Sequence, residues 1–110
     1  MPVLFVVLQT RQRKETQVKT THKPGRNKQH RVMLFALSTC GWCRKTKELL
    51  DASGVEYDFI DVDQCVGDER SEVAGRVREL NPRGSFPTIQ VDDQVVVGFD
   101  EDRLRELLGI

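Results

Sequence analysis

At 110 residues, 38% apolar and 31% charged, the chain has room for one hydrophobic core and not two, and its composition is that of a soluble globular protein with a rather polar surface. A formal charge of zero hides an asymmetry: residues 1–31 hold eight Lys/Arg against the single acid Glu15, so a basic leader precedes an acidic remainder. Three cysteines are too few, and odd in number, for a disulfide framework; they point to a reducing compartment, with the cytoplasm as the expected location, and to redox use of sulfur.

Val3–Leu8 is a β-prone apolar run with no basic residue before it, too short for a membrane span or a secretory signal, and no other stretch reads as a membrane segment. From Gln9 to Arg31 the chain is polar and basic, which reads as a solvated extension. A turn at Pro24-Gly25-Arg26-Asn27 would join Thr16–His22 to Lys28–Leu37 as a hairpin; alternatively Val3–Leu8 pairs with a neighbouring molecule, giving a monomer or a weak dimer. No aromatic residue is interleaved with these charges to stack on bases, so nucleic acid is not an expected partner. The expected division is an extension over residues 1–31 and a domain over 32–110.

Val32–Leu37 is an unbroken apolar run, which reads as a strand buried on both faces. Ser38 and Thr39 break it before a helical segment expected from about Cys40 to Ser53, ending at Gly54. Cys40 and Cys43 fall at that junction, where unsatisfied N–H groups and the helix dipole favour a thiolate. The first position points outward and the second faces the sheet among Leu49 and Leu50, so Cys40 is the expected nucleophile and Cys43 the resolving thiol. A closed zinc site would need two more ligands from Cys65, His22 and His30, at spacings outside the usual window, so no metal is expected.

Val55–Val62 reads as a second strand, and its acids Asp58, Asp61 and Asp63 as solvated charges rather than a calcium loop. Asp68–Leu80 is an amphipathic helix that Asp68 can cap, ended by Asn81-Pro82; Cys65 before it is either a buried small hydrophobe or an auxiliary thiol. Thr88–Val91 and Val95–Phe99 form a hairpin through Asp92-Asp93-Gln94, and Asp100 caps a last helix over Asp102–Leu108. The order β-α-β-α-β-β-α gives a four-stranded mixed sheet flanked by three helices.

That order, with Thr39-Cys40-Gly41-Trp42-Cys43 after a strand, Phe86-Pro87-Thr88 at the start of the third strand and a Gly98-Phe99-Asp100 turn, resembles the glutaredoxin branch of the thioredoxin superfamily over Val32–Ile110. The resemblance implies a thioredoxin-like fold and a thiol-disulfide oxidoreductase. It implies a cis bond before Pro87 that aims the Phe86 N–H and C=O at the substrate, close backbone approach at Gly98, and Asp100 or Asp102 at the amino end of glutathione. It implies no tightly bound cofactor. Electrons would come from glutathione or another dithiol, supplied by a glutathione-reductase-type or thioredoxin-reductase-type flavoprotein, and partners would be disulfide-containing proteins or low-molecular-weight thiols. Three departures bear on substrate: Leu37 stands where glutathione-using members carry Lys or Arg, Gly41-Trp42 replaces Pro-Tyr, and Gly98-Phe99 replaces Gly-Gly. Arg83 remains a source of positive charge, and Trp42 reads as a docking surface or, alternatively, as helix packing. In these departures the chain is similar to the glutaredoxin-like electron donors of ribonucleotide reductase. The resemblance also leaves open an iron–sulfur or zinc carrier using Cys40.

Overall fold

The structure, a computed structural model, describes residues 20–110; the expectations for Val3–Leu8 and for residues 9–19 lie outside the described residues. In chain order the elements are β1 (Thr21–Lys23), β2 (Val32–Ala36), α1 (Gly41–Ala52), β3 (Tyr57–Asp61), a 3-10 turn over Val62–Gln64, α2 (Gly67–Leu80), β4 (Thr88–Val91), β5 (Gln94–Val97) and α3 (Glu101–Leu108). The strands make one sheet in the order β1-β3-β2-β4-β5. β2 and β3 are parallel, with Leu34 opposite Phe59, and every other pair is antiparallel.

The central position of β2 explains its lack of polar residues. Val32, Leu34 and Ala36 pack on one face with Cys43, Leu49 and Leu50 of α1 and with Leu104 and Leu108 of α3. Phe35 packs on the other face with Val73 and Val77 of α2 and with Ile60, Val62 and Cys65. With helices on both faces, alternation along the strand switches core rather than switching from core to water. Each buried Val, Leu, Ile or Phe among them contributes about 1.5–3 kcal/mol relative to exposure.

The sheet has five strands instead of the expected four. The fifth, β1, comes from the basic leader and lies antiparallel to β3, with His22 opposite Asp58, so the hairpin expected around Pro24–Asn27 is not the pairing formed. Hydrophobic patterning could not announce it, because its contacts are polar: His22 Nδ1 lies 2.6 Å from Asp58 Oδ1. The following chain crosses close to residues 54–56. Asn27 N–H donates to Gly54 O and Glu56 N–H to Asn27 O, both at 2.9 Å. A Cβ at Gly25 would stand 2.6 Å from Glu56 N and Gly54 O, so only glycine permits this approach.

Helix ends also refine the expectations. α2 starts at Gly67 with Val66 at the cap, leaving Asp68 in the first turn beside Glu69, where their charge meets the helix dipole. Asp100 does cap α3, accepting from the Arg103 N–H at 3.2 Å. At the pole where β2 begins, Asp92 clasps the chain entering that strand. Its N–H donates to Arg31 O at 2.8 Å, its Oδ1 accepts from the Arg31 N–H at 2.9 Å, and its Oδ2 lies 2.7 Å from His30 Nδ1.

Candidate active site

The opposite pole, where β2 ends, holds the Cys pair. Cys40 is the N-cap of α1, in extended backbone conformation, rather than its first helical residue. Its sulfur does what a serine or aspartate oxygen does at other helix starts: Cys43 N–H donates to Cys40 Sγ at 3.2 Å. The sulfur thus meets an orphan backbone donor at the end of the helix where the dipole is positive.

Cys43 is sealed, with 1% of its surface exposed, within the core that contains Leu49 and Leu50. Burial first, and the hydrogen bond with Cys40 second, push its thiol up to about 12, while a Leu37 backbone bond and the Lys47 charge pull the other way. Lys47 lies one turn along the same helix face as Cys43. Its ammonium is held 3.1 Å from Asp61 Oδ1 and 4.1 Å from the centre of the Phe59 ring.

The loop before Cys40 is fixed from the end of β3. Ser38 N–H donates to Asp63 Oδ1 at 2.8 Å, its hydroxyl donates to the other carboxylate oxygen, and Gln64 Nε2 donates to the Ser38 hydroxyl at 3.2 Å. The Ser38 hydroxyl and N–H hold the Asp63 carboxyl below its ordinary range. All three acids expected to be solvated therefore have partners: His22 for Asp58, Lys47 for Asp61 and Ser38 for Asp63.

A cleft of about 240 Å³ lies beside the pair, lined by Trp42, Phe86, Pro87, Gly98 and Phe99. Trp42 is 60% exposed and stacks on Phe99 with ring centres 5.9 Å apart. The Phe86–Pro87 bond is cis, and Gly98 N–H donates to Pro87 O at 2.8 Å, joining the two loops that face Trp42. Gly98 reaches this position with φ of 79°, a conformation that favours glycine. Asn81, 3% exposed, braces the same wall from the end of α2, its Nδ2 donating to Thr88 Oγ1 at 3.1 Å and to Ser85 O at 3.2 Å.

Five of the expected substrate-contacting residues thus share one cleft. Thr39 and Gly41 flank Cys40 and are exposed. Arg83 and Asp100 do not line it: the Arg83 N–H donates to Asn81 Oδ1 at 3.2 Å in the turn after α2, and Asp100 is occupied as a helix cap. Asn81, the Ser38–Asp63 link and the Lys47–Asp61 pair escape sequence reasoning. Asn81 carries the one local signal, a polar residue at a helix end before proline, which reads as punctuation only. Among the described residues no three or more His, Cys, Asp or Glu side chains gather as a metal site.

The glutaredoxin family model matches residues 32–96, more than half the chain, including both cysteines and Pro87. The chain belongs to the glutaredoxin family. This glutaredoxin is 32% identical over 77 residues to a glutaredoxin-like 8.6 kDa protein in the rubredoxin operon of Clostridium pasteurianum, covering 70% of this chain and 96% of that one. Its fold is similar to the crystal structure of a glutaredoxin from Methanosarcina mazei, with a TM-score of 0.75 and 42% identity over 84% of this chain and 89% of that one. It is also similar to methanoredoxin of Methanosarcina acetivorans, with a TM-score of 0.70 and 41% identity over 73% and 85%. Family, fold and Cys pair together support a thiol oxidoreductase. No described helix is long and apolar enough to cross a membrane.

Proposed function

We propose that this chain reduces disulfides of proteins or small thiols by a dithiol mechanism in a reducing compartment, with Cys40 as nucleophile and Cys43 as resolving thiol. The carrying observation is the inequality of the two sulfurs: Cys40 Sγ takes a backbone donor at a helix start, while Cys43 is buried and held as a thiol. The Cys40 thiolate attacks one sulfur of the substrate, forming a mixed disulfide and expelling the other sulfur as a thiolate, which takes up a proton. Cys43 then gives up its proton and attacks Cys40 Sγ. The second substrate sulfur leaves reduced, and the Cys40–Cys43 disulfide keeps the balance: two electrons have passed from the dithiol to the substrate. Trp42, Phe86, Pro87, Gly98 and Phe99, which line the cleft, would hold the substrate. Reduced glutathione or a flavoprotein reductase of the glutathione- or thioredoxin-reductase type would restore the dithiol.

The test is reduction of insulin and of a protein mixed disulfide, with each electron source in parallel. Cys40→Ser is expected to abolish turnover, and Cys43→Ser to accumulate a covalent protein–substrate adduct visible by mass spectrometry. Full turnover of protein disulfides by Cys43→Ser would overturn the assignment of roles.

A further inference from the structure

β1 enters the sheet from the pole that holds the Cys pair. β3 runs parallel to β2 and ends at that pole, and β1 lies antiparallel to β3, so the chain before Thr21 heads from Phe59 toward Asp61. The β1 register stops at Thr21 opposite Phe59, while β3 continues through Ile60 and Asp61. Beside that last stretch lies a cleft of about 190 Å³ lined by Thr21, Phe59, Asp61, Gln64 and Cys65. Thr21 forms one of its walls, so the chain that leads into β1 arrives at its opening.

The surface around this cleft complements that chain. Asp61 lines it, Asp63 lies in the turn that follows, and Asp68 and Glu69 open α2 just after Cys65. Against these acids, the cations beside them are Lys47, already paired with Asp61, and Arg70 on α2. Residues 1–19 carry Arg11, Arg13, Lys14 and Lys19 against the acid Glu15. With the β1 register continued, Lys19 falls opposite Asp61. Val18, the one large apolar residue between Gln9 and Arg31, then turns to the other face of the sheet. On that face Ile60, Val62 and Cys65 pack, and Val66, next to Cys65 in the chain, is 77% exposed.

We propose that residues 16–19, outside the described residues, dock along this edge as a strap: Lys19 pairs with Asp61, Val18 covers the face that holds Cys65, and the cleft closes over the third thiol. The occupant is this chain's own segment rather than a second copy. Thr20 alone separates Lys19 from β1, which gives the segment an effective concentration at this edge that a separate molecule does not reach. The strap gives the Thr16–His22 stretch the strand that its sequence predicts, with β3 as its partner. It stands independently of the disulfide-reductase reading.

The experiment uses the full chain. In isotope-labelled protein, cross-strand NOEs are expected between the backbone protons of Lys19 and Asp61, and a sample mixed with unlabelled protein separates contacts within one molecule from contacts between two. Alkylation of Cys65 by iodoacetamide, located by peptide mass mapping so that Cys40 and Cys43 are counted apart, reads the closure. Lys19→Glu is expected to speed that alkylation about two- to fivefold, the scale of one exposed ion pair. Val18→Pro, which removes a backbone donor and breaks the strand, is expected to speed it at least as much. Arg11→Glu, the same charge reversal outside the strap, is expected to leave the rate as it is. Absence of Lys19–Asp61 NOEs, contacts seen only between labelled and unlabelled molecules, or an unchanged Cys65 rate in both strap variants would overturn the proposal. So would an Arg11→Glu rate raised as far as that of Lys19→Glu, which would make the effect one of net charge alone.

Discussion

Lys47 is the charge that the resolving thiol meets. Cys43 is held as a thiol chiefly by burial, and Lys47, fixed between Asp61 and the Phe59 ring, opposes that effect by favouring its thiolate. The sign is therefore settled: removing the ammonium moves Cys43 deprotonation to still higher pH. Lys47→Met is expected to slow release of the mixed disulfide roughly three- to tenfold at neutral pH, as loss of one screened charge near the sulfur predicts, and to shift the pH profile of that step upward. Stopped-flow release of thionitrobenzoate from Cys40 measures both, and an unmoved profile would reduce Lys47 to a packing role. The two cysteines were legible because their spacing is local. Lys47 was not, since its partner Asp61 lies 14 residues away across the α1–β3 connection and only the fold joins them.

At the scale of elements, the cleft wall depends on a join between α2 and β4. Asn81 spans it with one amide group, and Thr88 Oγ1 donates onward to Ser85 O at 2.8 Å. Replacing Asn81 with Ala leaves buried polar groups with fewer partners, which is expected to cost about 1–3 kcal/mol. Urea unfolding measures the loss, and a rise in KM for peptide disulfides would show that the wall carrying Pro87 has loosened. Periodicity placed β2, β3, β4, α1 and α2 to within a few residues, because each buries a regular apolar face. It did not reveal the pairing of β1 with β3, whose contacts are polar, and the strand expected over Thr16–His22 was given the wrong partner; it also misassigned the cap of α2, where no side chain bonds the first turn and Val66 holds the position.

Across the whole molecule, the two poles are each secured by a carboxylate held below its ordinary range: Asp63 by Ser38 beside the Cys pair, and Asp92 by His30 and the Arg31 N–H at the far end. A carboxyl depressed in the folded state contributes stability above its unfolded value, and that contribution is lost as pH falls through the folded one. The urea midpoint is therefore expected to drop as pH falls below about 4, and Asp92→Asn to flatten that dependence while leaving the Asp63 share in place. An identical acid limb in the variant would remove Asp92 from the account.

The Asp92 clasp has a further consequence for anyone grafting sequence into this protein. A two- or three-residue hairpin tip is ordinarily a tolerant point for splicing in a foreign peptide. Here the tip is fastened through its backbone and both carboxylate oxygens to the chain entering the central strand, so an insert between Asp92 and Gln94 would tug on the middle of the sheet. Tags and fused domains belong elsewhere on the surface.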